Sequence, residues 1–212
     1  MRKWVDKGYT FERRRAGEKA GGFDRAAWSE IAELGLCGLY VPEDEGGLGM
    51  GPVEGMVVME ELGRGMVLEP LPQTLIASGI LSGYAPAALK AEWLPKIASG
   101  EALVVLAQQE RGARYRLDAC KTMATQSGSG WTLSGAKSVV PAGDQADALL
   151  VPAVANGKLA LFIVERQAAG VSTQGYLMQD GSRGAELKLA GAKAQLVTLN
   201  GEAALDHAVD IG

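Results

Sequence analysis

Residues 149–164 read LLVPAVANGKLALFIV, two apolar runs of strand length joined by Asn156-Gly157. Both central positions of a two-residue hairpin turn need positive φ, and Asn-Gly adopts it at least cost. The stretch therefore predicts a β-hairpin, and its neighbours read the same way. Lys121–Gln126 alternates, Gly128-Ser129-Gly130 is turn material, and Trp131–Ser134 follows. Leu103–Ala107, Lys137–Val140, Ala148–Val151, Val171–Thr173, Ala185–Leu189 and Gln195–Leu199 are further short strand-like runs. Short strands at this spacing predict a small antiparallel β-barrel or sandwich over residues 101–202.

Upstream the period changes from two to that of a helix. Phe23, Ala27, Ile31 and Leu34 recur at helical spacing, with Gly35 where the helix ends. Val41–Gly51 (VPEDEGGLGMG) reads as a loop, and Pro52 suits the first turn of the next helix, with Val53, Met56, Val57, Glu60 and Glu61 running on to Gly63. Leu71–Ser82 forms another helical run. Pro86 opens one more, with Leu89, Trp93, Leu94 and Ile97 facing inward and Ser99-Gly100 closing it. Residues 203–212 read as helical again, a start that cannot bury its apolar face alone. The expected organisation is α+β and multidomain: a helical bundle over 1–100, a β-domain over 101–202, and at 203–212 the beginning of a C-terminal helical domain that the sequence lacks.

Composition narrows the function. The chain has 212 residues, 47% hydrophobic and 22% charged, with a net charge of -4, which makes nucleic acid an unfavourable partner. No apolar run is long enough to span a bilayer and no signal peptide is evident. Cys37 and Cys120 lack metal-ligand spacing and fit a reduced, cytoplasmic protein. A lone histidine, His207, argues against His-rich metal sites and against a Ser-His-Asp hydrolase, as does the missing G-x-S-x-G.

Four segments in order resemble the acyl-CoA dehydrogenase family. Leu34-Gly-Leu-Cys-Gly-Leu-Tyr-Val-Pro-Glu43, followed by Glu45-Gly-Gly-Leu-Gly49, is similar to its LGL…PEEyGG.G stretch. Met59-Glu-Glu-Leu-Gly-Arg64 resembles its EELgR helix. Leu106-Ala-Gln-Gln-Glu-Arg-Gly-Ala113 stands where the family has A.TEPGAGSD. Trp131-Thr-Leu-Ser-Gly-Ala-Lys137 and Val140-Pro-Ala-Gly-Asp-Gln-Ala-Asp147 resemble LNG.K.WITNG..AD. The runs Glu110–Tyr115, Lys137–Val140 and Asp180–Leu187 look closest to a bacterial branch that includes the small subunits of pimeloyl-CoA-type dehydrogenases.

The resemblance implies an oxidoreductase that binds FAD and converts an acyl-CoA thioester to the trans-2-enoyl-CoA, passing electrons to an electron-transfer flavoprotein, in a homo- or hetero-oligomer with a sister subunit. It implies that Leu106, Ala107, Gln109, Val139, Val140 and Pro141 face the cofactor, and that Tyr115 and Arg114 face the substrate. The catalytic glutamate is expected outside residues 1–212. Four positions depart from the family: Gln109 replaces a Thr, Val139 a Trp, Tyr115 a Ser and Pro141 a Thr. Pro141 has neither N–H nor hydroxyl to donate. These departures also fit a non-catalytic subunit of a heteromeric dehydrogenase, and a flavin oxidase or monooxygenase on the same scaffold is a third reading.

Several residues carry plainer expectations. Arg13–Arg14–Arg15 reads as a solvated face, and Gly46, Gly47 and Gly49 as a plain turn. Gln108, Gln109 and Glu110 read as surface polar residues, Arg111 and Arg116 as solvated, and Trp131 as strand packing. Lys137 and Asp147 are expected to make structural charge contacts, and His207 to be structural.

Overall fold

The computed structural model describes residues 1–114, 116–128 and 130–212. Six helices come first: α1 (Arg2–Gly8), α2 (Phe11–Lys19), α3 (Arg25–Glu33), α4 (Pro52–Gly65), α5 (Leu71–Tyr84) and α6 (Ala87–Ala98). Local chemistry sets their ends. The Thr10 and Asp24 side chains cap α2 and α3, Gly35 takes φ 76° just past α3, and Pro52 opens α4 with Glu54 accepting from the Gly51 N–H. Leu89, Trp93, Leu94 and Ile97 of α6 are buried, as their spacing predicts. On α4, by contrast, Val53, Met56 and Val57 are exposed, and the buried stripe is Gly55, Val58, Glu61 and Leu62.

Seven strands follow: β1 (Val104–Leu106), β2 (Met123–Ser127), β3 (Gly130–Pro141), β4 (Ala148–Ala155), β5 (Lys158–Glu165), β6 (Val171–Leu177) and β7 (Arg183–Thr198). β2, β3, β7, β5 and β4 pair in a closed ring, so the barrel alternative holds over the sandwich. Pairing is antiparallel apart from the contacts of β1 and β2 with one edge of β4. β4 and β5 form the expected hairpin, with Asn156 at φ 50° and Gly157 at φ 78°. Two expectations of separate short strands are corrected. Residues 131–134 and 137–140 belong to the single strand β3, and residues 185–189 and 195–198 to the sixteen-residue β7. Bulges produce the breaks in pattern, one of them at Gly191 of β7, at φ 68°, which is left over between Ala190 and Ala192.

The helical and β halves share their core. Leu149, Val151, Phe162 and Val164 join a cluster with Trp28, Ile31 and Leu75, while Leu150, Leu161 and Ile163 on the opposite face of the hairpin join Ile80, Leu94 and Ile97. Covered on both sides, this hairpin reads as two unbroken apolar runs. The Trp28 indole N–H donates to the Gly100 carbonyl at 2.9 Å. Helix α7 (Gly201–Ile211) lies against α5, and the His207 and Tyr84 rings pack at 5.8 Å. A Cβ on Gly79 would stand 2.4 Å from the Cδ1 tip of Ile211, so a larger residue there would have to push that side chain aside.

Candidate functional site

The residues that follow β1 run back beside the second half of β3. The Ala107 N–H donates to the Leu150 carbonyl at 2.8 Å, and the Gln109 carbonyl accepts from the Ser138 N–H at 2.8 Å. The first bond anchors the end of β1 to β4, and the second brings Gln109 beside the bulged part of β3 that carries Val139, with Val140 and Pro141 following it. Ala107 and Val140 are buried, Leu106 and Pro141 half-buried, and Gln109 and Val139 exposed. An amide and an apolar side chain thus stand side by side on an open face.

Val139 is the unusual member. Lys137 pairs with Leu187 and Val140 with Ala185, so Ser138 and Val139 together oppose Glu186 in a bulge. The bulge sets Val139 at φ 53° and leaves it 42% exposed. A β-branched residue at positive φ is strained by about 1–3 kcal/mol, and such strain concentrates where side chains are aimed for function. The Ser138 hydroxyl fastens the bulge by donating to Glu186 at 2.8 Å.

Beneath this face lies a buried ion pair. Lys137 Nζ donates to Glu110 Oε1 at 2.8 Å, and the Lys121 N–H, the Thr122 N–H and the Thr122 hydroxyl also donate to the Glu110 carboxylate, at 2.7, 3.0 and 2.7 Å. Burial pushes the Glu110 carboxyl up, but the lysine and the hydrogen bonds outweigh it and hold the pKa at about 2. The expectation of a solvated Glu110 is therefore corrected: the residue is 6% exposed and ties the loop after β1 to β3. Cys120 Sγ stands 3.4 Å from the same carboxylate, and burial raises its thiol pKa. Lys137 has the structural charge contact expected of it. Asp147 instead accepts from the Leu103 N–H at 2.8 Å.

Through Pro141 and Ala142 the open face leads into a cavity of ≈ 370 Å³ between the two halves. Its walls are Phe23, Met59 and Leu62, the α4–α5 link from Met66 to Pro70, and the β6–β7 turn with Met178, Asp180, Ser182 and Arg183. Arginines bind the walls together. Arg14 donates to the carbonyls of Met66 and Asp180, at 3.0 and 2.6 Å. Arg183 pairs with Asp144 at 2.6 Å and donates to the Gly21 carbonyl at 3.2 Å. Arg13 pairs with Asp24 and Glu30. The cluster Arg13–Arg15 is therefore corrected from a solvated face to a structural clasp in its first two members. Arg114 stands exposed at φ 53° and does not line this cavity among the described residues, and Tyr115 lies outside the described residues. Arg111 reaches Glu186 at 3.3 Å, and the Trp131 ring packs on Phe162 at 5.2 Å, strand packing as its sequence context suggests.

Sequence reasoning passed over Glu69. It lines the cavity, is 3% exposed, and its Oε2 has no hydrogen-bond partner among the described residues. The available signal was a lone acid inside the apolar run Met66-Val-Leu-Glu-Pro-Leu-Pro72.

Val139, Gln109 and the mouth at Pro141 fit a flat, largely apolar ring with a polar edge. Gln109 offers donor and acceptor, whereas Pro141 contributes shape alone. Among the described residues no helix is long and apolar enough to cross a membrane.

Comparison with known proteins gives a consistent picture. The acyl-CoA dehydrogenase N-terminal domain family matches residues 1–101. The chain is 34% identical over 157 residues to acyl-CoA dehydrogenase FadE12 of Mycobacterium tuberculosis, covering 68% of this chain and 39% of that protein. Among solved structures, the Tcur3481-Tcur3483 steroid ACAD superposes with a TM-score of 0.90 at 31% identity, over 99% of this chain and 57% of that one. The ChsE4-ChsE5 complex from Mycobacterium tuberculosis superposes with a TM-score of 0.85 at 28% identity, over 98% and 56%. The chain spans less than half the length of the curated relatives it matches.

Proposed function

The chain belongs to the acyl-CoA dehydrogenase family, and from that premise we propose that it forms the flavin- and thioester-facing part of an enzyme that converts acyl-CoA to trans-2-enoyl-CoA and passes electrons to an electron-transfer flavoprotein. The observation that carries this reading is the strained Val139 bulge beside Gln109, opening through Pro141 onto an apolar cavity. Bound FAD would accept a hydride from the β-carbon of the thioester.

In this reading the protein's own residues position and shield. Gln109 and Val139 hold the ring's edge and face. The Glu110–Lys137 pair fixes the loop that presents Gln109, and the cavity takes the acyl tail out of water. No base for the α-proton is assigned here, because the carboxylates near the open face are engaged. Glu110 is held by Lys137, and Glu186 accepts from Ser138 and Arg111.

A second reading rests on Pro141 and Val139, which offer a flavin fewer contacts than a Thr and a Trp would. In it the chain is part of a non-catalytic subunit that stabilises a sister chain, and the likeness to a protein solved as the ChsE4-ChsE5 complex supports a pairing of two components. Flavin absorption per subunit, measured in the purified full-length protein with any co-purifying partner, separates the two. One flavin per subunit that bleaches anaerobically with an acyl-CoA supports the enzyme. Colourless subunits of this type beside a yellow sister chain favour the scaffold.

A further inference from the structure

The cavity between the halves holds one group that an apolar acyl tail does not explain. We propose that Glu69 is a recognition group for a neutral oxygen, a hydroxyl or a carbonyl, carried on the otherwise apolar acyl part that enters this cavity. The inference deepens the acyl-CoA reading above and rests on it for the identity of the ligand.

The geometry singles out Glu69 in three ways. It is 97% enclosed, being 3% exposed, among apolar side chains that include Phe23, Met59, Leu62 and Met66. Its Oε1 accepts one long bond, 3.4 Å from the Asp24 N–H, the Tyr9 hydroxyl stands near the carboxyl, and Oε2 has no partner within hydrogen-bond distance among the described residues. Among the described residues no cation is paired with it, and the neighbouring charge that acts on it is the Asp24 carboxylate, which repels it. A buried polar atom without a partner costs about 1–3 kcal/mol, so an arrangement of this kind persists where a ligand completes it.

The chemistry then selects the ligand. Burial raises the Glu69 carboxyl pKa, more than the nearby Tyr9 hydroxyl lowers it. In its protonated form a carboxyl both donates and accepts one hydrogen bond, matching a hydroxyl or a ketone, and in its ionised form it still accepts one from a hydroxyl. A second carboxylate in the same apolar space would meet Asp24 and Glu69 with no free counter-charge, because Arg183 on the rim is already paired with Asp144. At ≈ 370 Å³ the cavity lies within the size range of small-molecule pockets, roughly 300–1,000 Å³.

The test compares octanoyl-CoA with ω-hydroxyoctanoyl-CoA by calorimetry, on the full-length protein and on its E69Q and E69L variants. The expected result is roughly tenfold tighter binding of the hydroxylated thioester, from one buried hydrogen bond completed. E69L should bring the ratio to about one while octanoyl-CoA still binds, and E69Q, whose amide keeps a donor and an acceptor, should retain the preference. Difference infrared spectra of the unsubstituted chain should show the stretch of a protonated carboxyl that shifts with the hydroxylated thioester alone and is missing in E69Q. A preference that E69L leaves intact, or a carboxyl stretch that does not move, overturns the proposal. If neither thioester binds, the acyl-CoA reading fails by itself, and Glu69 is judged by hexanol against hexane: a shift with hexanol alone supports it, and no shift refutes it. Should E69L fail to fold, the infrared comparison with E69Q decides.

Discussion

Two buried glutamates a few strands apart show how surroundings decide what a carboxyl does. Glu110 sits in the β half, where a lysine, a hydroxyl and two backbone N–H groups converge on it, and it is held ionised. Glu69 sits at the seam between the halves, with one long hydrogen bond, the Tyr9 hydroxyl nearby and a repelling neighbour, and burial suppresses its ordinary acidity. The first is a fastener, complete within the protein. The second keeps an enclosed oxygen without a partner among the described residues, at the wall of a cavity.

The strongest way to break this contrast is to strip Glu110 of its partner. K137M leaves a buried carboxylate uncompensated and should cost about 3–5 kcal/mol in urea unfolding, with E110Q added to K137M recovering much of the loss. Equal stability of K137M and the parent would show that the pair fastens nothing. On the other side, R183A removes the clasp between β7 and the α2–α3 turn and leaves the buried Asp144 unpaired. A loss of about 2 kcal/mol is expected in the same assay, together with faster proteolysis of the β6–β7 turn.

Acidity sharpens the comparison, because the two residues give opposite slopes. Glu110 has a folded pKa of about 2 against an ordinary 4.5, so its stabilisation is full above 4.5 and fades as pH falls towards 2. E110Q should therefore flatten the acid limb of a stability-versus-pH curve. Glu69 is raised, so the folded state is penalised as pH climbs above the ordinary carboxylate range. E69Q should be more stable than the parent at neutral pH and equal to it in acid. A gap independent of pH would mean that Glu69 titrates normally. The smallest effect is expected at the bulge. V139G relieves the positive φ and should gain about 1 kcal/mol while weakening flavin retention in the full-length protein. A loss of stability there would deny the strain.

The same contrast explains what the sequence discloses. Local signals carry far: Asn156-Gly157 marks its hairpin, Gly35 its helix end, and the α6 spacing its buried face. The candidate flavin face is legible in the sequence only through motif order, and the structure supplies the backbone bond from Ser138 to Gln109 that joins its halves. Glu110 was misread because Arg111-Gly112 beside it signals a turn, while its partner Lys137 lies 27 positions away. Glu69 escaped for a related reason. An acid before a proline reads as a surface loop, and no local pattern reports that two halves close over it. β7 reads as two short strands because the bulge at Gly191 interrupts the alternation of a strand that pairs on both edges.

That shared strand has a consequence for how the molecule assembles. β4 and β5 meet across two residues and can pair as soon as both exist, but the ring closes only when β7 reaches β3, with Ala194 opposite Trp131. During synthesis the nascent barrel must therefore wait, its outer edges on β3 and β5 unzipped, until almost the last strand has left the ribosome. Exposed edges of that kind recruit other chains. A stop or stall before residue 183 would leave a sticky half-barrel, and a chaperone or a sister chain would find its best foothold there.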